Sequence, residues 1–159
     1  MKQIKILFFT LAVALMGISL TACGDDNNEP SGGSIVGTWE GDYLHWFDSA
    51  NGQDGFFESS KGYIKFNDDN TYISVSDIVY TDEWVEIYGA QKHEVEIERG
   101  TYKISGNTIT LTDSDQTYSP ATFGVKGNKL TIVALGLTFT FTRVSDSVIN
   151  KYLNYLAAC

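Results

Sequence analysis

The chain has 159 residues and carries 20 acidic against 11 basic side chains, which gives a formal net charge of −9. Because a surface this acidic repels phosphate backbones, nucleic acid is excluded as a partner. The length is typical of a single domain, and two cysteines are too few for a disulfide framework.

The first 22 residues have the layout of a secretory signal peptide. Lys2 and Lys5 precede a mostly apolar run over 6–16, which small residues follow. Leu20-Thr21-Ala22-Cys23 resembles the lipobox of bacterial lipoproteins, in which the cysteine is diacylated and becomes the first mature residue. We therefore expect cleavage after residue 22 and a lipid on Cys23 that anchors the protein to a membrane. An uncleaved anchor and an ordinary signal peptide with a chance cysteine are the alternatives.

Residues 23–34 are expected to form a flexible acidic tether behind the lipid. They contain the acidic run 25–29 and Pro30, and none after Cys23 is a large apolar residue. The run resembles export segments of some Gram-negative surface lipoproteins, and Gly24, in place of Asp, directly after the cysteine favours the outer membrane. We expect the outer membrane of a Gram-negative bacterium, with exposure on the cell surface left open.

From residue 35 onward the pattern is that of β-strands. Apolar residues and threonine alternate at period two in 108–112, 129–132 and 137–142. Gly-Asn pairs at 106–107 and 127–128 indicate hairpins. The predicted strands are 36–46, 56–58, 62–67, 71–77, 83–88, 94–104, 108–112, 121–126, 129–133 and 137–143. In a closed barrel, a sheet of eight to ten antiparallel strands has no unpaired edge, so we expect a barrel. The pattern over 145–156 predicts an amphipathic helix.

Short motifs in a fixed order carry a family resemblance. Gly37-Thr38-Trp39 opens the first strand, 66–72 matches a Phe-x-x-Asp-Gly-Thr-Tyr hairpin with Asn70 where Gly is usual, and Arg143 ends the last strand. The set resembles the lipocalins and other calycins, and more closely the lipocalin-like lipoproteins of Gram-negative bacteria. The resemblance implies an all-β, up-and-down lipocalin-like barrel over 35–159. It also implies that Trp39 plugs one end and that Arg143 packs over it.

Aromatic side chains of the strands are candidates for a ligand cavity. The set is Trp39, Tyr43, Phe66, Tyr72, Phe139 and Phe141. If the barrel is hollow, the function that follows is to hold a small apolar or amphipathic molecule in its interior. If it is packed, the alternative is an interaction module that presents loops 47–55 and 78–93 to a protein or glycan. Trp84 and Tyr88 would be the anchors of that module.

No pattern in the chain indicates catalysis or metal binding. His45 and His93 are the only histidines, and no serine lies in a recognisable nucleophile elbow. Glutamates alternate with Val and Ile over 93–98, which predicts a solvated strand face. The acidic turns at 68–70 and 113–115 lack the full calcium-loop pattern. We expect a monomer without enzymatic activity, cofactor or metal.

Overall fold

Eight strands and two helices make up the part of the chain that the computed structural model describes, residues 33–41 and 57–157. Each strand pairs antiparallel with its neighbours in sequence, and β1 pairs with β8, so the sheet closes on itself. This confirms the predicted up-and-down barrel with a short C-terminal helix. The elements are β1 Gly37–Gly41, β2 Phe57–Phe66, β3 Thr71–Tyr80, α1 Asp82–Tyr88, β4 His93–Ser105, β5 Thr108–Thr112, β6 Ala121–Lys126, β7 Lys129–Ala134, β8 Leu137–Val144 and α2 Ser147–Ala157.

The connections alternate between the two ends of the barrel. The turns 67–70, 106–107 and 127–128 are short and lie at the end where β1 begins. The connections 81–92, 113–120 and 135–136 lie at the other end, which we call the mouth. Residues 42–56 connect β1 to β2 from the mouth side and lie outside the described residues, as do 1–32 and 158–159. The signal peptide, Cys23, the tether, Tyr43, His45, loop 47–55 and Cys159 are therefore not described.

Two stretches differ from the predicted strand list. The separate strands 56–58 and 62–67 are one strand, β2, with a register irregularity near its start. The predicted strand 83–88 is wrong, because these residues form helix α1. The Thr81 hydroxyl accepts a hydrogen bond from the backbone of Trp84, and Gly89 ends the helix in the left-handed region. These end signals outweigh the strand preference of Trp84 and Val85.

Helix α2 packs against the outside of the barrel wall. Ile149 is completely buried there against Tyr63 of β2 and Val75 of β3, and Val95 and Ile97 of β4 border the same cluster. The outer faces of β2–β4 are therefore apolar where α2 covers them. Among the described residues, no helix is long and apolar enough to cross a bilayer.

The carboxylate of Asp146, just before α2, ties the helix to the first two strands. It accepts hydrogen bonds from the Thr38 hydroxyl and the Lys65 ammonium, each over 2.7 Å. These two partners, Lys65 first, hold the pKa of Asp146 below its usual value of 3.8. A carboxyl whose pKa is lowered on folding stabilises the protein above its unfolded pKa, and this contribution disappears as the pH falls through the folded pKa.

We predict that Asp146→Asn lowers the free energy of unfolding by about 1 kcal/mol at pH 7, because solvent screens this partly exposed pair. The difference from the wild type should shrink as the pH falls from 5 to below 3.8. Urea denaturation across this pH series measures it. Asp68→Asn, in an exposed turn, is the matched control and should change little. A difference that stays constant with pH would contradict the assignment.

Candidate ligand cavity

The end of the barrel opposite the mouth is closed by Trp39. Its side chain is completely buried, and its indole N–H donates to the carbonyl of Ile35 over 2.7 Å. The guanidinium carbon of Arg143, the residue opposite it on β8, lies 4.1 Å from the centroid of the indole ring. A cation over an aromatic face at this distance is favourable. The pair therefore joins the first and last strands and fills this end.

Arg143 also holds the chain segment that leads into β1. Its two terminal nitrogens donate to the carbonyls of Val36 and Ser34 over 2.7 and 2.8 Å. Gly37 lies beneath it with φ +130°, and a Cβ there would come within 2.3 Å of the guanidinium. Only glycine fits both the backbone angle and the space. The Gly-x-Trp motif and the distant arginine are thus parts of one contact.

A cavity of about 180 Å³ lies inside the barrel toward the mouth. One side of it is almost entirely apolar and comes from β5–β8. Besides Phe139 and Phe141, this apolar side contains Ile109, Leu111, Ala121, Ile132, Ala134 and Leu137. The side chains of the described residues therefore leave the barrel hollow at this level.

The opposite side of the cavity is polar and acidic. Ser74 and Ser76 of β3 and Glu96 and Glu98 of β4 line it. The glutamates of 93–98 thus share one strand face, as predicted, but Glu96 and Glu98 face the cavity; Glu96 is half-buried there and Glu98 remains exposed. Because α2 covers the outer face of β4, the apolar residues of that strand point outward and its glutamates point into the barrel.

Tyr72 stands between the polar and apolar sides. It is 2% exposed, and its hydroxyl is the one buried side-chain polar atom of the described residues that has no hydrogen-bond partner. Its ring lies close over Gly100 of β4, where a Cβ would approach a ring carbon to 2.7 Å and the carbonyl oxygen of Thr112 to 2.1 Å. Burial, followed by the charge of Glu98, raises the pKa of Tyr72 well above its ordinary value.

The loop 113–120 forms the rim of the acidic side. Asp113 accepts from the backbone N–H groups of Asp115 and Gln116 over 2.7 and 2.8 Å, and from the hydroxyl of Tyr118. Burial alone would raise the pKa of Asp113, but these hydrogen bonds outweigh it and lower the pKa. Burial and the bond to Asp113 raise the pKa of Tyr118 to about 12. Asp113 therefore stays charged beside the cavity, and Tyr118 is held in its lining.

Burial also affects the carboxyl of Glu98. Desolvation raises its pKa, and the negative charges of Asp113, Glu96 and Asp115 add to the effect. A hydrogen bond with Ser74 acts in the opposite direction but is weaker. The acidic side of the cavity is thus a place where negative charges lie close together, with Glu98 still accessible to solvent.

Leu135 lies at the mouth in a strained conformation. It forms the β7–β8 turn with Gly136 and has φ +53°, an angle that is unfavourable for a bulky side chain. It is 57% exposed and borders the cavity. Asn and Gly are the usual residues at such positions, so the turn holds an apolar side chain at the mouth at a cost in local stability.

Three of the six aromatic candidates line the cavity: Tyr72, Phe139 and Phe141. Trp39 and Phe66 do not, because both are completely buried in the packed core below it. Tyr43 lies outside the described residues. Glu96 and Glu98 were missed as lining residues, and the signal that could have found them is the helix predicted at 145–156, whose apolar face needs an apolar wall to cover.

A second group of polar side chains lies in a groove on the outer wall. The two carboxylate oxygens of Asp77 contact His93 Nε2 over 2.7 Å and the Tyr152 hydroxyl over 2.5 Å. Burial would raise the pKa of Asp77, but the bonds to Tyr152 and His93 outweigh it and lower the pKa. This contact fastens α2 to β3 and β4. No group of three or more potential metal ligands occurs among the residues described.

Sequence comparison identifies one family. The model of the lipocalin-like domain family matches residues 35–132, more than half of the chain. Comparison with curated proteins and with solved structures gave no significant match. The matched segment runs from the residue that accepts the indole hydrogen bond to β7, so it covers most of the barrel and the residues of the acidic side.

We predict that Arg143→Lys lowers the free energy of unfolding by about 1–2 kcal/mol. An ammonium cannot hold the carbonyls of Ser34 and Val36 together as the planar guanidinium does. Urea denaturation followed by fluorescence measures the change. Arg99→Lys, at an exposed position of β4, is the matched control and should leave stability unchanged. Equal stability of the two variants would contradict the role of Arg143.

Proposed function

The chain belongs to the family of lipocalin-like domains, and we propose on this basis that it is a lipid-anchored binding protein. Lipocalin-like barrels typically bind small hydrophobic ligands and are generally binding proteins rather than enzymes. The cargo we propose is a small apolar or amphipathic molecule held inside the barrel.

The observation that carries this proposal is the cavity of about 180 Å³ with its apolar side on β5–β8. A dry apolar cavity of roughly 150 Å³ is large enough to bind benzene. The part of the ligand inside the barrel therefore has about the size of one ring or a short chain. An entire phospholipid is too large, since its acyl chains would have to remain outside.

The anchor is proposed from the sequence alone. Leu20-Thr21-Ala22-Cys23 has the residue types that precede and accept the lipid in bacterial lipoproteins, and 24–34 would connect the lipid to the barrel. The acidic run and Gly24 support the outer membrane of a Gram-negative bacterium as the location. A lipid is needed there because a chain of this charge has no general attraction to anionic membranes.

One observation favours a second candidate function, binding of a protein or glycan at the mouth. Helix α1 leaves Ile87 and Tyr88 60% and 57% exposed. Tyr88 also packs against Trp84, which in turn stacks on Tyr80. A rigid, exposed group of aromatic side chains is typical of contact surfaces. This alternative predicts that a partner binds equally well whether the cavity is open or filled.

We predict that Ala121→Phe, which fills the cavity from β6, weakens binding of 2-phenylethanol about tenfold or more. Equilibrium dialysis of the mature lipidated protein in nanodiscs, corrected with empty nanodiscs, measures the affinity. Thr122→Phe adds the same ring at the neighbouring exposed position and is the control. If 2-phenylethanol binds the wild type and both variants alike, it does not bind in the cavity and the carrier function is wrong. If only Ala121→Phe weakens binding, native mass spectrometry of the protein purified from its own cells would identify the natural cargo.

We predict that Cys23→Ala abolishes both lipid attachment and cleavage after residue 22, because the thiol is the acceptor. Intact mass measurement of the protein from the cell envelope tests this. The wild type should begin at residue 23 and carry the mass of the lipid. A wild-type protein without lipid mass would exclude the proposed anchor and leave the carrier function unaffected.

A further inference from the structure

The cavity has two sides of opposite character, and this limits what it can hold. The apolar side on β5–β8 suits a hydrocarbon or aromatic body. The other side presents the carboxylates of Glu96 and Glu98, and no lysine or arginine occurs among the described residues of the lining. A purely apolar ligand would displace water from these carboxylates without supplying a positive charge, which is costly.

The hydroxyl of Tyr72 is an independent indication that a polar group of the ligand belongs here. The side chain is 2% exposed, lines the cavity and has no hydrogen-bond partner within the described chain. Buried polar groups in folded proteins nearly always have a partner. A tyrosine kept in this position therefore points to a ligand that completes its hydrogen bonding.

The charges nearby decide the sign of that polar group. The charges of Glu98 and Asp113 raise the pKa of the Tyr72 hydroxyl. The charges of Asp113, Glu96 and Asp115 raise the pKa of Glu98. Every one of these groups is a carboxyl group, which is negative when ionised. These carboxylates would repel an anionic ligand, and a neutral ligand would bring them no counter-charge. A cation would supply the positive charge that favours their ionised form.

We infer that the cavity binds a small amphipathic amine, with its apolar body against β5–β8 and its ammonium at Glu98 and Tyr72. The ammonium donates to the Glu98 carboxylate and to the Tyr72 hydroxyl oxygen, so the carboxylate gains a counter-charge and the hydroxyl gains a hydrogen-bond partner. The volume of about 180 Å³ limits the body to about one ring or a short alkyl chain. This inference rests on the proposed carrier function and names the chemical class of its cargo.

Three probes with the same apolar body test the inference: 2-phenylethylamine, 2-phenylethanol and phenylacetate. Their affinities are measured by equilibrium dialysis with the lipidated protein in nanodiscs at neutral pH. We expect the amine to bind about tenfold more tightly than the alcohol, because hydrogen bonds to a charged group are stronger than neutral ones. Phenylacetate should bind most weakly.

Two variants then assign the preference to the named residues. Glu98→Gln should reduce the affinity for the amine to about that for the alcohol, whose own affinity should change little. Glu86→Gln removes the same charge from exposed helix α1 and should leave all three affinities unchanged. Tyr72→Phe should weaken amine binding several-fold while the melting temperature of the empty protein does not fall, since an unpaired buried hydroxyl is removed. A merely structural tyrosine would lose stability instead.

The outcomes separate this inference from the function on which it rests. If the amine binds no more tightly than the alcohol, or if phenylacetate binds best, the amine is excluded and the carrier function stands. If Glu98→Gln leaves the amine preference intact, the assignment to the acidic side is wrong. If none of the probes binds and filling the cavity changes nothing, both proposals fail.

Discussion

The contact between Arg143 and Trp39 is the interaction on which the remaining structure depends. It joins residues far apart in sequence and closes the barrel between its first and last strands. Because the same guanidinium also binds the carbonyls of Ser34 and Val36, the chain before β1 is fixed across that end. With this end filled in this way, the cavity lies above a packed layer of core side chains.

The sequence predicted the parts of the fold that depend on local pattern. Alternation at period two is sufficient to find β5–β8. The Gly-Asn pairs locate the β4–β5 and β6–β7 turns, since Gly106 and Gly127 adopt the positive φ that such turns require. The helix at 83–88 was missed because Trp84 and Val85 have strand preferences and the segment is shorter than an average helix. Its end signals, Thr81 and Gly89, were present in the sequence.

The acidic side of the cavity could not be predicted, and the reason is geometric. Period two identifies the two faces of a strand but does not say which of them points into the barrel. In β4 the apolar face is the outer one because α2 covers it, so the glutamate face, predicted as simply solvated, points into the cavity instead. Tyr72 was identified as an inner residue, whereas the lack of a partner for its hydroxyl depends on contacts that only the folded chain defines.

The turn at Leu135 and Gly136 has a consequence for how molecules enter. A bulky residue with positive φ costs roughly 1–2 kcal/mol, so this turn is less stable than an Asn-Gly turn at the same place would be. The same tip carries an apolar side chain that is more than half exposed beside the cavity. The β7–β8 hairpin therefore gives up turn stability at the place where it holds an apolar side chain next to the cavity.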